Sequence, residues 1–189
     1  MNQQLILASA SPRRKELLSL MHIDFAVCAV DVDEHTDAAA QDAVMLLAQR
    51  KARAAAKLNP GKTILGADTL VACAGQTLGK PRDEADALRM LRLLSGNTNT
   101  VYTGVCVIDG KTDAMDVRCD CATVQFVPVD DAAALRYIAS GEPMDKAGAY
   151  GVQGMGGMFV SSITGSPSNV IGLPMHLVRE MLIQIGWEL

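Results

Sequence analysis

The apolar residues of this chain change their period again and again along its length. Short runs suited to strands alternate with longer stretches that carry a single apolar stripe, which is the pattern of α/β and α+β folds. The segment LILA (5–8) reads as a short buried strand that feeds a helix starting at Pro12, with Ser11 as its N-cap and Leu17, Leu18 and Met21 as its buried stripe. A strand near 25–29 follows, then an acidic loop, AVDVDEHTD, and a helix over about 42–58. The run TILGADTLVACAG (63–75) reads as a strand interrupted by Gly66 and Asp68, and KPRDEADALRMLRLLSG as an amphipathic helix that begins after Pro81 and stops at Gly96. Two long strands, 98–108 and 115–127, are joined by the turn DGKTD, and Asp130 caps a further helix ending at Gly141. The last third is dense in glycine, and a helix from about Pro174 closes the chain. No internal repeat and no long linker forces a boundary, so residues 1–189 read as one domain.

Composition removes several functional classes. With 49% hydrophobic residues and 20% charged ones the chain has ample material for a core, and its net charge of −4 argues against a general nucleic-acid or anionic-membrane binder. The opening MNQQLILAS lacks a charged segment followed by a long apolar one, and no run approaches the ~18 apolar residues of a membrane span, so a cytoplasmic protein is expected. The 5 cysteines are an odd count without a CxxC pair, and are expected to be reduced core thiols. Strand alternation places Cys119 and Cys121 on one face. His22, His35 and His176 form no ligand pattern, so any metal must be held by oxygen.

One feature of the first helix runs against the expected electrostatics. A helix N-terminus carries roughly half a positive charge and favours acids, yet here the first turn holds Arg13, Arg14 and Lys15. A strand, a tight serine loop and a helix start bearing arginines make an anion cradle, in which backbone N–H groups, the Ser9 and Ser11 hydroxyls and the arginine forks suit phosphate oxygens. On these residues alone a solvated basic turn fits equally well, and the spacing is neither that of a P-loop nor that of the dinucleotide fingerprint. If the charge serves a ligand, removing Arg13 or Arg14 should leave the free protein as stable as before, or slightly more so.

Asp68 makes a ligand site more attractive. A carboxylate inside an apolar strand run must have a partner, since an unpaired buried charge is very costly, so it is expected where the strand opens onto a cleft. Asp31, Asp33 and Glu34 offer further oxygen ligands, one of them facing the same place. Carboxylates beside a phosphate cradle imply Mg²⁺ or Mn²⁺, which bind few protein oxygens and share the substrate's phosphates. Lys51 and Lys80 are the next cations in line, each equally readable as a surface lysine.

Together LASASPRRKELL, GADTLV, GKPRD, DKAGAYGVQG and the late GLP resemble the Maf family of nucleoside triphosphate pyrophosphatases, in order and over nearly the whole chain. The resemblance implies an inosine-triphosphatase-like α/β fold: an elongated mixed sheet flanked by helices, two lobes with a central cleft, and commonly a homodimer. It implies hydrolysis of a nucleoside triphosphate to monophosphate and diphosphate with a divalent cation. It also implies that Asp68 is the catalytic base, with Ser9, Arg13, Arg14, Glu34, Lys51 and Lys80 lining the phosphate and metal region. Asp68 could equally serve as a metal ligand beside Glu34. The combination of SPRR, ADT and a glutamine in GVQG resembles the dTTP/UTP branch, and points to Arg13, Thr69 and Gln153 as candidates for reading the base. Arg50, in QRKARA, stands where the family usually has an acid before the lysine. The alternatives are a pyrophosphatase directed at purine or non-standard nucleotides, and a non-catalytic nucleotide-binding regulator of cell division.

Overall fold

Strand β1 (Leu5–Leu7) lies parallel to both β2 (Phe25–Val27) and β3 (Thr63–Cys73), pairing Leu5 with Phe25 on one side and with Thr63 on the other. Parallel neighbours need crossover connections, and the chain supplies two helices for them, α1 (Pro12–Leu20) and α2 (Ala40–Leu58). These coordinates are a computed structural model and describe residues 4–189; the first residues of the segment read above for a leader, Met1–Gln3, lie outside the described residues.

Strand β4 (Gln76–Leu78) folds back antiparallel on β3 through Ala74 and Gly75, both at positive φ. Helix α3 (Glu84–Leu94) starts on Asp83, whose carboxylate accepts the Asp86 N–H at 2.7 Å. After it come β5 (Thr98–Ile108), β6 (Met115–Phe126) and α4 (Asp131–Ala139), the last capped by Asp130 through the Ala133 N–H at 2.7 Å. The glycine-dense third contains three short 3₁₀ turns, 142–145, 147–149 and 155–159. Strand β7 (Val160–Thr164) and helices α5 (Pro167–Ile171) and α6 (Met175–Gln184) complete the chain. The sheet is mixed and has seven strands in the order β2-β1-β3-β5-β6-β7, with β4 attached to β3.

Two compact units are interleaved along the chain. The first comprises the chain through Asp68 with Thr103–Asp120 and Gly172–Leu189; the second comprises Thr69–Tyr102 and Cys121–Ile171. In the first, Ile6, Ala8, Ile64, Cys106 and Ile108 pack against Ala48, Ala52 and Ala55 of α2. Two glycines set how closely that helix lies on the sheet. A Cβ on Gly66 of β3 would sit 2.4 Å from the Ala48 carbonyl oxygen, and one on Gly104 of β5 would sit 2.3 Å from that of Val44. In the second unit Val71, Leu78, Leu91, Leu94 and Val124 surround an aromatic group, in which Phe126 meets Tyr150 edge-on at 4.8 Å and Tyr137 meets Phe159 at 5.4 Å.

Of the five cysteines only Cys73 and Cys106 are buried; Cys28 and Cys119 are half-buried and Cys121 is exposed. The expectation of five core thiols fails at Cys119 and Cys121 because β6 is largely uncovered there, Asp116 to Cys121 being half-buried or exposed throughout. It fails at Cys28 because that residue follows β2, whose residues are themselves only half-buried or exposed. No helix among the described residues is long and apolar enough to cross a membrane.

Candidate active site

Asp68 stands inside β3, only 8% exposed, and it has the partner that burial requires. Helix α2 runs over Gly66 and carries Lys51, whose Nζ lies 2.5 Å from Asp68 Oδ1 and 2.7 Å from Glu34 Oε1. Gly66 and Asp68 are two residues apart and so face the same side of the strand, which is why a close-lying helix can reach the carboxylate. The Lys51 and Asp68 side chains are both nearly buried, while Glu34 comes from the exposed loop before α2.

That loop is held by the neighbouring residue of the same helix. Arg50 Nη1 donates to the Asp33 carbonyl at 2.8 Å and to the His35 carbonyl at 2.9 Å, so Arg50 grips the main chain on either side of Glu34 while Lys51 takes its carboxylate. Asp33 accepts the His35 N–H at 2.9 Å and closes the turn between them. Of the three acids in the loop, Glu34 is therefore the one that joins Asp68; Asp33 shapes the turn, and Asp31 is exposed.

The loop between β1 and α1 lies in the same unit. Ser11 occupies the N-cap of α1, as expected, but makes no side-chain capping bond. Instead the Ser9 hydroxyl accepts the Ser11 N–H and the Arg14 Nη1, both at 3.2 Å. Arg14 also donates from Nε to the Gly172 carbonyl at 2.9 Å, which ties the arginine-rich turn to the GLP segment. Gly172 has a φ of +125°, a conformation that favours glycine. Burial pushes the Arg14 guanidinium below its ordinary pKa; Asp68 and Glu34 pull it back up, and Arg13 adds a like charge that lowers it. An arginine still stays protonated, so the site keeps a fixed positive charge facing two carboxylates. These bonds correct one expectation: Arg14 is a tie within the folded protein, so its removal should cost stability.

The remaining expected residues belong to the second unit. Thr69 follows Asp68 on β3 and is half-buried, Lys80 is exposed just after β4, and Gln153 is exposed in the glycine-rich segment. The motifs that hold Lys80 and Gln153 meet in their backbones, for the Gly148 N–H donates to the Gly79 carbonyl at 3.0 Å. Tyr137 and Glu142 escaped the sequence reading. Glu142 accepts the Met155 and Gly156 N–H groups at 2.9 and 3.3 Å and the Tyr137 hydroxyl at 2.9 Å. A segment with so few side chains must find acceptors for its N–H groups elsewhere, and that need was the available signal.

Two carboxylates that converge on one ammonium are suited to a hard divalent cation. Among the described residues no group of three or more His, Cys, Asp or Glu could hold a metal ion; the oxygen donors that converge here are Asp68 and Glu34.

A parallel βα start, a serine–arginine loop and a strand carboxylate paired with a lysine mark an α/β protein with a charged centre in its first unit. The chain belongs to the family of Maf-like proteins, whose pattern it matches over residues 4–185. It is 46% identical to a dTTP/UTP pyrophosphatase of Symbiobacterium thermophilum, covering 99% of this chain and 96% of that protein. It is likewise 46% identical to one of Geobacter sulfurreducens, over 97% of each, and 44% identical to one of a Geobacillus species, over 98% of this chain and all of that one.

Proposed function

We propose that this protein hydrolyses dTTP and UTP to the nucleoside monophosphate and diphosphate, with Mg²⁺ or Mn²⁺, as a cytoplasmic homodimer. The observation that carries the reading is the pairing of Lys51 with both Asp68 and Glu34, in the unit where Arg14 and Ser9 meet in the loop before α1. Family membership and the names of the relatives support the substrate class. Asp68 orients the attacking water, and because Lys51 engages Oδ1, Oδ2 is the oxygen assigned to the water proton. Glu34 and Asp68 would hold the cation, which when bound supplies charge neutralisation at the α-phosphate and at the departing diphosphate. Ser9, Ser11, Arg13, Arg14, Lys51 and Lys80 meet the phosphate oxygens, whose negative charge grows and spreads in the transition state. Arg13, Thr69 and Gln153 read the base: uracil and thymine offer O4 as acceptor beside N3–H as donor, which a glutamine amide complements.

The test is a panel of nucleoside triphosphates with Mn²⁺ or Mg²⁺, assayed for diphosphate against orthophosphate. The expected result is diphosphate, fastest from dTTP and UTP. Orthophosphate as sole product, a purine triphosphate as best substrate, or binding without turnover would contradict it. Light scattering on the eluting protein at micromolar concentration is expected to give twice the monomer mass.

A further inference from the structure

The glycine-rich segment GVQGMGG should be a poor platform for recognition, because glycines lose the most backbone freedom on ordering and offer no side chains to pack. Here it is held by two residues from the end of α4 and the turn after it. Tyr137 Oη accepts the Gly151 N–H at 3.2 Å and donates to Glu142 Oε1 at 2.9 Å. Glu142 then takes the Gly156 N–H on Oε1 at 3.3 Å and the Met155 N–H on Oε2 at 2.9 Å. Gly151, Met155 and Gly156 flank Gln153, so both strands of the bend are pinned while its tip is exposed.

The grip is tight enough to dictate residue types. A Cβ on Gly154 would lie 2.4 Å from Glu142 Oε2, and one on Gly156 would lie 2.6 Å from the Tyr137 hydroxyl. The clamp itself is anchored: Tyr137 is 1% exposed against Phe159, and Lys146 Nζ donates to the Glu142 carbonyl at 2.5 Å. Burial would raise the Glu142 pKa, but the Met155 and Gly156 N–H groups, the Tyr137 hydroxyl and Lys146 together hold it below the ordinary value. The carboxylate is thus ionised at neutral pH and makes the stronger, charge-assisted kind of hydrogen bond.

We infer that Glu142, braced by Tyr137, is a positioning residue for base selection, fixing the 151–156 backbone and with it the point from which Gln153 reaches the base. The inference rests on the reading of Gln153 as a base contact and extends it to the residues that hold its backbone in place.

The test compares wild type, Glu142→Gln, Tyr137→Phe, Gln153→Ala and the Glu142→Gln/Gln153→Ala double variant. Two quantities are read: kcat/KM for UTP and for CTP, and hydrogen exchange of the amides of 151–156. Glu142→Gln keeps the volume but turns an N–H donor toward backbone N–H groups. It is expected to speed exchange at Met155 and Gly156 at least tenfold and to lower the UTP/CTP ratio about fivefold or more, as lost pairing in a built site does. Tyr137→Phe should move both readouts the same way by less, and it decides the matter if Glu142→Gln fails to fold. In the double variant the ratio should equal that of Gln153→Ala alone. An unchanged ratio and unchanged exchange in the Glu142 variant, or an equal fall for UTP and CTP with faster exchange, overturns the inference. An unchanged ratio in Gln153→Ala overturns the base-contact reading instead, and exchange in the Glu142 variant still reports whether the clamp holds the segment.

Discussion

Lys51 organises the first unit's polar centre, because a single ammonium compensates two carboxylates that arrive from different elements. Removing one partner of a nearly buried pair leaves the others uncompensated, so substitutions here act on charge balance as well as on chemistry. Asp68→Asn keeps the volume and removes the charge; turnover of UTP is expected to fall by about 10²–10⁴ while circular dichroism and the folded yield stay as in wild type. Retention of more than about a tenth of kcat would show that Asp68 is structural. The two arginines of the anion loop separate in the same way. Arg14→Ala deletes the donors to Gly172 and Ser9 and is expected to cost about 1–3 kcal/mol in urea unfolding. Arg13→Ala removes a like charge beside Arg14. Both are expected to lose about 10²–10³ in kcat/KM, as do sites that lose a preorganised donor to developing charge. An equally active but less stable Arg13→Ala would place that side chain among the packing contacts.

Helix α2 is the element on which the site depends, and two glycines determine where it lies. Gly66→Ala puts a methyl group against the Ala48 carbonyl and the Ala52 side chain, so α2 must lift from β3 and carry Lys51 with it. The expected outcome is a loss of about 2 kcal/mol in urea unfolding, at the overpacking end of core substitutions, accompanied by reduced kcat. A variant of wild-type stability would mean the helix tolerates the shift. Helix α3 offers a pH-dependent test. Asp86 is buried and accepts Arg89 Nε at 2.8 Å, and that bond, with the Arg82 N–H and side chain, holds its carboxyl below the ordinary range against the opposing effect of burial. Its contribution is complete above the unfolded-state value of about 4 and is lost as pH falls through the lower folded-state value. The stability gap between wild type and Asp86→Asn should therefore be widest near pH 7 and narrow as pH drops from about 4 toward 2; a constant gap would contradict the assignment. The long elements were legible from their periodicity and caps: α3, β5 and the Asp130-capped α4 fall within a few residues of their expected bounds. Strands β4 and β7 were not, because three and five residues carry too little pattern and their pairing is set by β3 and β6.

At the scale of the molecule, each unit is assembled from segments far apart in sequence, and this explains what sequence reading could and could not supply. Some of the first unit was readable: Asp68 needed a partner and has one in Lys51, and Ser11 stands at the N-cap of α1. The identity of the partner was not readable, since Lys51 meets Asp68 only through the Gly66 contact between α2 and β3. Nor was the use of Arg50, whose departure from the family's usual acid makes sense only once the Asp33 and His35 carbonyls lie within its reach. The Tyr137–Glu142 clamp likewise depends on a turn folding back on a segment 13–14 residues later in the chain. The claim that all of this serves attack of water on the α-phosphorus is tested most directly by hydrolysing UTP in ¹⁸O-water with Mn²⁺ and locating the label by mass spectrometry. One ¹⁸O in the monophosphate and none in the diphosphate is the expected result; label in the diphosphate, or release of orthophosphate, would contradict it.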